Sequence, residues 1–232
     1  MSQRTAIILD TDIGNDIDDA VCLAYLLRQP ACELVGITTV SGYDPRVRAS
    51  LADAVCRAAG RSDVPIHSGA ACRIDTGAVV QADIPQETIL PSYPHRPPSA
   101  FAENSAVTWL HEQISKRPGE ITLLAIGPMT NLGLLFAMDP GIGRKLKSLV
   151  LMCGAFTGHF TGIPPREWNA LCDPLATHIV YRTAVADHRS VGLDVTLQVQ
   201  MPAEACISRF AAIGGPLAVA VIDQGGWRRI NA

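Results

Sequence analysis

The chain has 232 residues, 48% hydrophobic and 18% charged, with 19 basic against 22 acidic side chains and a net charge of -3. A mean hydropathy of +0.20 excludes extensive disorder. The small acidic surplus argues against a generic nucleic-acid or anionic-membrane binder.

The length suffices for a sizeable core, as one large α/β domain or two small ones. No apolar run approaches the ~18–20 residues that cross a bilayer. The opening MSQRTAIILD holds only a four-residue apolar stretch before an acid, so no secretory segment is expected. Cys22, Cys32, Cys56, Cys72, Cys153, Cys172 and Cys206 are odd in number and form no CxxC pair. They read as buried thiols in a reducing, cytoplasmic protein rather than as a zinc site or disulfide scaffold.

Short apolar runs alternate with amphipathic stretches. Residues 6–9 predict a strand, and 18–28 a helix whose wide apolar face includes Leu23 and Leu27. The β-branched run 34–40 predicts a second strand, 46–59 a helix stopped by Gly60, and 64–66 a third strand. Residues 73–100, with Pro85, Pro91, Pro94, Pro97 and Pro98, break this rhythm as an irregular excursion of the kind that often covers a site. The alternation then resumes: helix 103–116, strand 121–126, helix 131–138, strand 149–152, helix 173–182, strand 190–193 and helix 202–212. This pattern predicts an α/β fold, a mostly parallel central sheet with helices on both faces and a Rossmann-like core. No repeat or boundary divides residues 1–232, so a single domain is expected. Ligands in such folds collect beyond the carboxyl ends of the strands.

Five of the ten residues 10–19, following the first strand, are aspartates: Asp10, Asp12, Asp16, Asp18 and Asp19. Carboxylates this close repel, and burial adds a desolvation cost. Protonation relieves it, or a bound cation does. Oxygen-only ligands without Cys or His select a hard ion, Ca²⁺ or Mg²⁺. Gly14 allows the bend that turns several acids toward one point. A single aspartate here would read as a helix-start residue; five together read as a metal or active site. An EF-hand loop is excluded, because Asn15 and Val21 stand where Gly and an acid are needed. A Mg²⁺-dependent phosphatase of the haloacid dehalogenase type, which also opens on DxD, remains an alternative, although Gly14 stands where it expects Thr or Val.

DTDIGNDIDDA after an apolar strand resembles the signature of the inosine-uridine-preferring nucleoside hydrolases. Ile37–Gly42, Val64–Gly69, Gly127-Pro128-Met129-Thr130-Asn131, and Leu151-Met152-Cys153-Gly154 with Glu167-Trp168-Asn169 and Asp173-Pro174 follow in the family's order. The resemblance implies hydrolysis of the N-glycosidic bond of ribonucleosides with tightly held Ca²⁺. It makes Asp12 and Asp19 metal ligands, joined by the Thr130 carbonyl, with Asp12 also the general base. One of Asp16 and Asp18 holds the ribose hydroxyls, and Asp18 is favoured. Glu167 and Asn169 hydrogen-bond the sugar, Met152 packs near it, and Asp10 orients its neighbours. The partner implied is a small-molecule nucleoside, with neither nucleic acid nor membrane, and the assembly a homodimer or homotetramer. Thr130 and Asn131 also suit a plain helix cap, and Met152 a core filler.

Two departures stand out. Tyr43 occupies the place of a family Asn that binds the sugar. The family's His-Asp-Pro segment, whose Asp completes the metal's coordination, has no counterpart; after Thr196 the only aspartate is Asp223. The expectation is therefore a shortened or diverged member lacking its C-terminal elements, with weakened metal binding or with Asp223 as substitute. The tail around Gly225-Gly226 and Arg228-Arg229 reads as frayed, and the sheet is expected to leave an apolar edge. A non-catalytic, ribose-binding remnant is the alternative of a different class. His67, His95 and His159 are weak candidates for protonating the departing base. Base preference is left open.

Overall fold

A computed structural model of the chain describes residues 4–157 and 166–224. Its strands are β1 (Thr5–Thr11), β2 (Cys32–Thr39), β3 (Ile66–Ser68), β4 (Ile121–Ala125), β5 (Ser148–Met152) and β6 (His188–Val191). All pair in parallel, in the order β3-β2-β1-β4-β5-β6. The chain winds outward from β1 to β3, then returns to the other side of β1 for β4. The order therefore reverses between β1 and β4, where parallel sheets open a crevice at the strands' carboxyl ends.

Two apolar layers sandwich the sheet. Leu9 packs with α1 (Asp18–Arg28) and α2 (Pro45–Ala58). Its neighbour Ile8 points the other way, toward α3 (Ala106–Lys116), α4 (Thr130–Met138) and Val180 of α6 (Pro174–Arg182). Both side chains are fully buried. Two-sided burial is why these strands read as unbroken apolar runs.

Most expected elements stand within two or three residues of their predicted limits. The third strand lies at Ile66–Ser68 and the last at His188–Val191, because backbone pairing with β2 and β5, rather than local apolar content, sets their ends. The expected helix 173–182 is preceded by a short helix α5 (Trp168–Cys172), and a further turn α7 (Leu193–Thr196) follows β6. After α8 (Ala203–Ile213) the structure adds a helix that the sequence reading lacked, α9 (Gly215–Gln224). Its Ala218, Ala220, Val221 and Ile222 are buried against α1 and α2. Residues 225–232, with the tail glycines and arginines, lie outside the described residues, as does His159. The expected apolar edge is not found at β6, whose HRSV sequence alternates half-buried with exposed positions and carries Arg189 outward. Such a charge discourages edge-to-edge pairing.

The 73–100 excursion is ordered by packing. Two 3-10 segments, Pro85–Ser92 and Pro98–Ala100, run over α2. The Asp53 carboxylate of α2, buried to 1% exposure, accepts from Arg57 Nε at 2.6 Å and from Arg96 Nε and backbone N–H at 2.9 and 2.8 Å. Arg96 in turn lies over the Phe101 ring, 4.6 Å from its centroid. Asp53→Ala removes both bridges and is expected to cost about 2–3 kcal/mol in urea unfolding. Arg57→Ala, which leaves the Arg96 bridge intact, should cost less. A loss below about 0.5 kcal/mol for Asp53→Ala contradicts this anchor.

Candidate active site

β1 delivers the acid loop to the crevice at the sheet's switch point. A cavity of about 560 Å³ there is lined by Asp12, Asn15, Asp16, Asp18 and Asp19 from the loop. Ile126 follows β4, Met152 ends β5, and Arg166, Glu167, Trp168 and Asn169 enclose the far side. Gln81 and Pro85 of the excursion and Leu193 complete the wall. A separate apolar cleft of about 420 Å³ between α1 and the α8–α9 turn has no carboxylate in its lining. The acid chemistry belongs to the first cavity.

Asp12 and Asp19 are buried, each 7% exposed, whereas Asp16 and Asp18 stand exposed at the rim. Burial is the main force raising Asp12 to about 6; Arg48 opposes it, and the Asp18 and Asp16 charges add to it. Asp19 is pushed well above the usual carboxylate range by burial and by the nearby Asp12 and Asp18 charges. Its Oδ1 accepts a hydrogen bond from the Thr11 hydroxyl. Asp10 is fully buried and lies behind the cavity rather than in its lining. Thr38 and Asn131 donate to its Oδ1, at 2.5 and 2.8 Å, while Oδ2 has no partner among the described residues. Burial lifts Asp10 to about 7. So enclosed, it offers no accessible nucleophile of the kind a haloacid-dehalogenase phosphatase needs.

The segment after β4 ties the strand ends together. Asn131 donates to Asp10 and to the Thr39 carbonyl, and its Oδ1 accepts from Ala70 N–H at 2.9 Å. A methyl on Gly127 would sit 2.8 Å from the Asp12 nitrogen, so this segment runs directly against Asp12. Thr130 opens α4 and is buried; its hydroxyl donates to Asp173 Oδ2 at 2.9 Å, and it is absent from the cavity lining.

Across the cavity, Glu167 caps α5. Its Oε1 accepts from Asn169 N–H at 2.8 Å, and its Oε2 from Ala170 and Gly154 N–H at 2.8 and 3.0 Å. The residue that was expected to hold sugar thus also fixes the loop that carries it. The Asn169 amide nitrogen donates to the Ile126 and Met152 carbonyls at 2.8 and 3.0 Å, and its Oδ1 takes no donor among the described residues. Met152 Sδ lies 3.4 Å from that nitrogen, which places Met152 in the wall.

Other expectations are redirected. Tyr43, in the place of the family's Asn, does not line this cavity: its phenol donates to the Glu87 carboxylate, and it lines a separate polar depression with Asp44 and Arg46. Asp223 does not line this cavity: α9 packs on α1, α2 and the Pro85–Ser92 segment, and Asp223 accepts from Tyr93. His67 stacks on Trp109 with ring centroids 4.7 Å apart, and His95 contacts the Tyr93 carbonyl. Neither histidine lines the acid cavity. Sequence reasoning missed Gln81, Arg166, Trp168 and Leu193 as wall residues, which distant loops bring together without any periodic signal.

The donor chemistry suits a hard divalent cation. Five carboxylates line one cavity, Asp12, Asp16, Asp18, Asp19 and Glu167, and burial with neighbouring acids raises both Asp12 and Asp19. Among the described residues no three Cys, His, Asp or Glu side chains are grouped closely enough to hold a metal ion by themselves, so a cation here would also need carbonyl and water oxygens. Ca²⁺ takes six to eight oxygens and accepts carbonyls and water alongside carboxylates.

The architecture is a doubly wound parallel sheet with an acid-lined cleft at its switch point. Residues 7–225 match the family described as inosine-uridine preferring nucleoside hydrolase, and the chain belongs to that family. It is 34% identical over 203 residues to a probable uridine nucleosidase 1 of Oryza sativa subsp. japonica, covering 84% of this chain and 60% of that protein. It is 33% identical over 217 residues to the pyrimidine-specific ribonucleoside hydrolase RihB of Escherichia coli, covering 92% and 67%. The solved plant nucleoside hydrolase PpNRh1 superposes with a TM-score of 0.80 at 26% identity, over 95% of this chain and 69% of that one. The chain spans 58 to 64% of the length of the four plant relatives it matches. No helix among the described residues is long and apolar enough to cross a membrane.

Proposed function

We propose that this chain hydrolyses the N-glycosidic bond of a ribonucleoside, releasing ribose and free base, with Ca²⁺ held by Asp12, Asp19 and the Thr130 carbonyl. The observation that carries this reading is Asp12 itself, buried among acids and facing Glu167, Trp168 and Asn169 across a cavity of nucleoside size. When bound, calcium supplies positive charge that lowers the pKa of water at the site. Asp12, kept ionised by the adjacent cation, is placed to take a proton from the attacking water. The water oxygen bonds to the anomeric carbon as the bond to the base nitrogen breaks. That bond's electron pair leaves with the base, which takes a proton from solvent. Positive charge developing on the sugar ring is stabilised by the surrounding carboxylates.

Asp18, with Asp16 beside it at the rim, binds the ribose hydroxyls, and the Asn169 carbonyl accepts from the sugar opposite. The exposed Trp168 indole, with its Nε1 3.5 Å from Gln81 Oε1, offers a flat apolar face to the base. Trp168→Ala is expected to raise KM roughly tenfold while kcat falls less, in line with about 1–3 kcal/mol for stacking on a base. An unchanged KM removes Trp168 from the base site. The reading as a whole is tested by ribose release from uridine and inosine with 1 mM calcium. Ribose that protects against heating without turnover would instead identify a binding remnant.

A further inference from the structure

The acid loop is gripped from below by a cation that the reaction does not touch. Arg48, in the first turn of α2, is fully buried. Its Nη1 donates to the Asp12 carbonyl, to the Ile13 carbonyl at 3.1 Å and to Asn15 Oδ1 at 2.9 Å. Its Nε donates to the Ser41 carbonyl at 2.9 Å. The guanidinium therefore links the turn after β1 to the turn after β2.

The backbone is shaped to admit it. Gly14 at φ +135° and Gly42 at φ +93° both lie in the region that favours glycine. A methyl on Gly14 would meet Arg48 Nη1 at 3.2 Å, and one on Gly42 would meet Nε and Nη2 at 3.1 Å. The two glycine turns thus close around the guanidinium. Gln86 secures the loop's outer side, donating to the Asn15 and Asp16 carbonyls at 3.0 and 2.9 Å. Burying an arginine is costly, and such a charge is retained where it meets several fixed acceptors; here Nε and Nη1 carry the contacts, while Nη2 has no partner among the described residues. Here three of the four acceptors lie on the loop that carries the acids.

We infer that Arg48 is the positioning residue of this site: its forked guanidinium holds the loop after β1 in the one conformation that aims Asp12 into the cavity. A lysine in its place keeps the charge but offers a single point donor, so it cannot span both turns.

The test compares Arg48→Lys and Arg48→Met with the unmodified chain by residue-resolved hydrogen exchange, calcium titration and kinetics on uridine. In Arg48→Lys, amides 13–17 should exchange at least tenfold faster while those of β4 and β5 keep their protection. The kcat should fall at least tenfold with KM within threefold, because Asp12 is misaimed while the opposite wall is untouched. Arg48→Met should show the same local loss and also a change in calcium affinity. Loop protection and kcat unchanged in a folded Arg48→Lys, or exchange raised equally across the sheet, overturns the inference. The kinetic arm rests on the hydrolase reading; the exchange arm does not. An inactive parent chain whose loop still loosens in Arg48→Lys would sink that reading and leave the clamp standing. Should Arg48→Met fail to fold, the lysine variant alone decides.

Discussion

Asp12→Ala is expected to lower ribose release by about 10³-fold or more, and to weaken calcium binding in the same protein. The size follows from the two tasks that converge on one carboxylate. A positioned general base contributes on the order of 10²–10⁴ in rate. Removing a charged ligand from a hard-cation site weakens affinity as well, because ligand charge sets calcium affinity. Asp12→Asn separates the tasks. It keeps an oxygen for the cation but cannot accept a proton, so it should retain part of the calcium affinity and lose the rate. Folding should survive both changes, since Asp12 is destabilised by burial in the native state and its carbonyl, not its side chain, anchors Arg48. Wild-type ribose release by a folded Asp12→Ala chain, measured with a reducing-sugar assay, would remove Asp12 from the reaction.

How far the sequence reaches is clearest in this same loop. Strand β1 and helix α1 were legible from apolar spacing, and the acids between them announced a site by their density. The sheet order was not legible. It depends on which side of β1 the returning chain takes at β4, and only packing decides that. The acids alone suggested that either protons or a divalent ion must relieve them; the structure adds a third partner, Arg48. A signal for it existed. Arg48, Leu51, Ala52 and Val55 are spaced at i, i+3, i+4 and i+7 on α2, so a cation stands in the helix's apolar stripe. All four are buried. A basic residue there needs buried acceptors, and the nearest loops with glycine turns were those at Gly14 and Gly42. Tyr43, whose role the sequence left open, lies away from the acid cavity for a reason no local pattern carried: Glu87, from the proline-rich excursion, captures its phenol. Helix α9 was missed because GPLAVAVIDQ opens on glycine and proline, and its helical form is won by packing on α1 and α2 rather than by propensity.

Metal-free protein should lose stability as pH rises from 5 to 8, and calcium should restore it at pH 8. The sign follows from the direction of the shifts. Asp10 and Asp12 are raised from 3.8 to about 7 and about 6, and Asp19 is raised well above its usual value. A carboxyl whose pKa is higher folded than unfolded stabilises the fold fully below its unfolded pKa, near 4. That contribution is lost as pH climbs through the folded pKa, here between about 6 and 7. For Asp10 alone, the shift from 3.8 to about 7 corresponds to roughly 4 kcal/mol. Carboxylates with lowered values, such as Asp53, act in the opposite direction only below about pH 4, whereas His67 and His188, lowered from 6.5 by burial, offset part of the loss between pH 5 and about 6.5. A ligand at 100 times its dissociation constant adds about 2.7 kcal/mol. At about 2–4 °C per kcal/mol for a chain of this size, calcium should raise Tm by roughly 5–10 °C at pH 8. At pH 5 the gain should nearly vanish, because protons already neutralise the buried acids. Arg48 sharpens the expectation: as a buried cation bonded to this loop, it offsets part of the repulsion but not all of it, and the remainder is what a divalent ion relieves. A Tm in chelator that stays flat from pH 5 to 8, and that calcium leaves unmoved at pH 8, would mean that the acid loop needs no cation beyond Arg48.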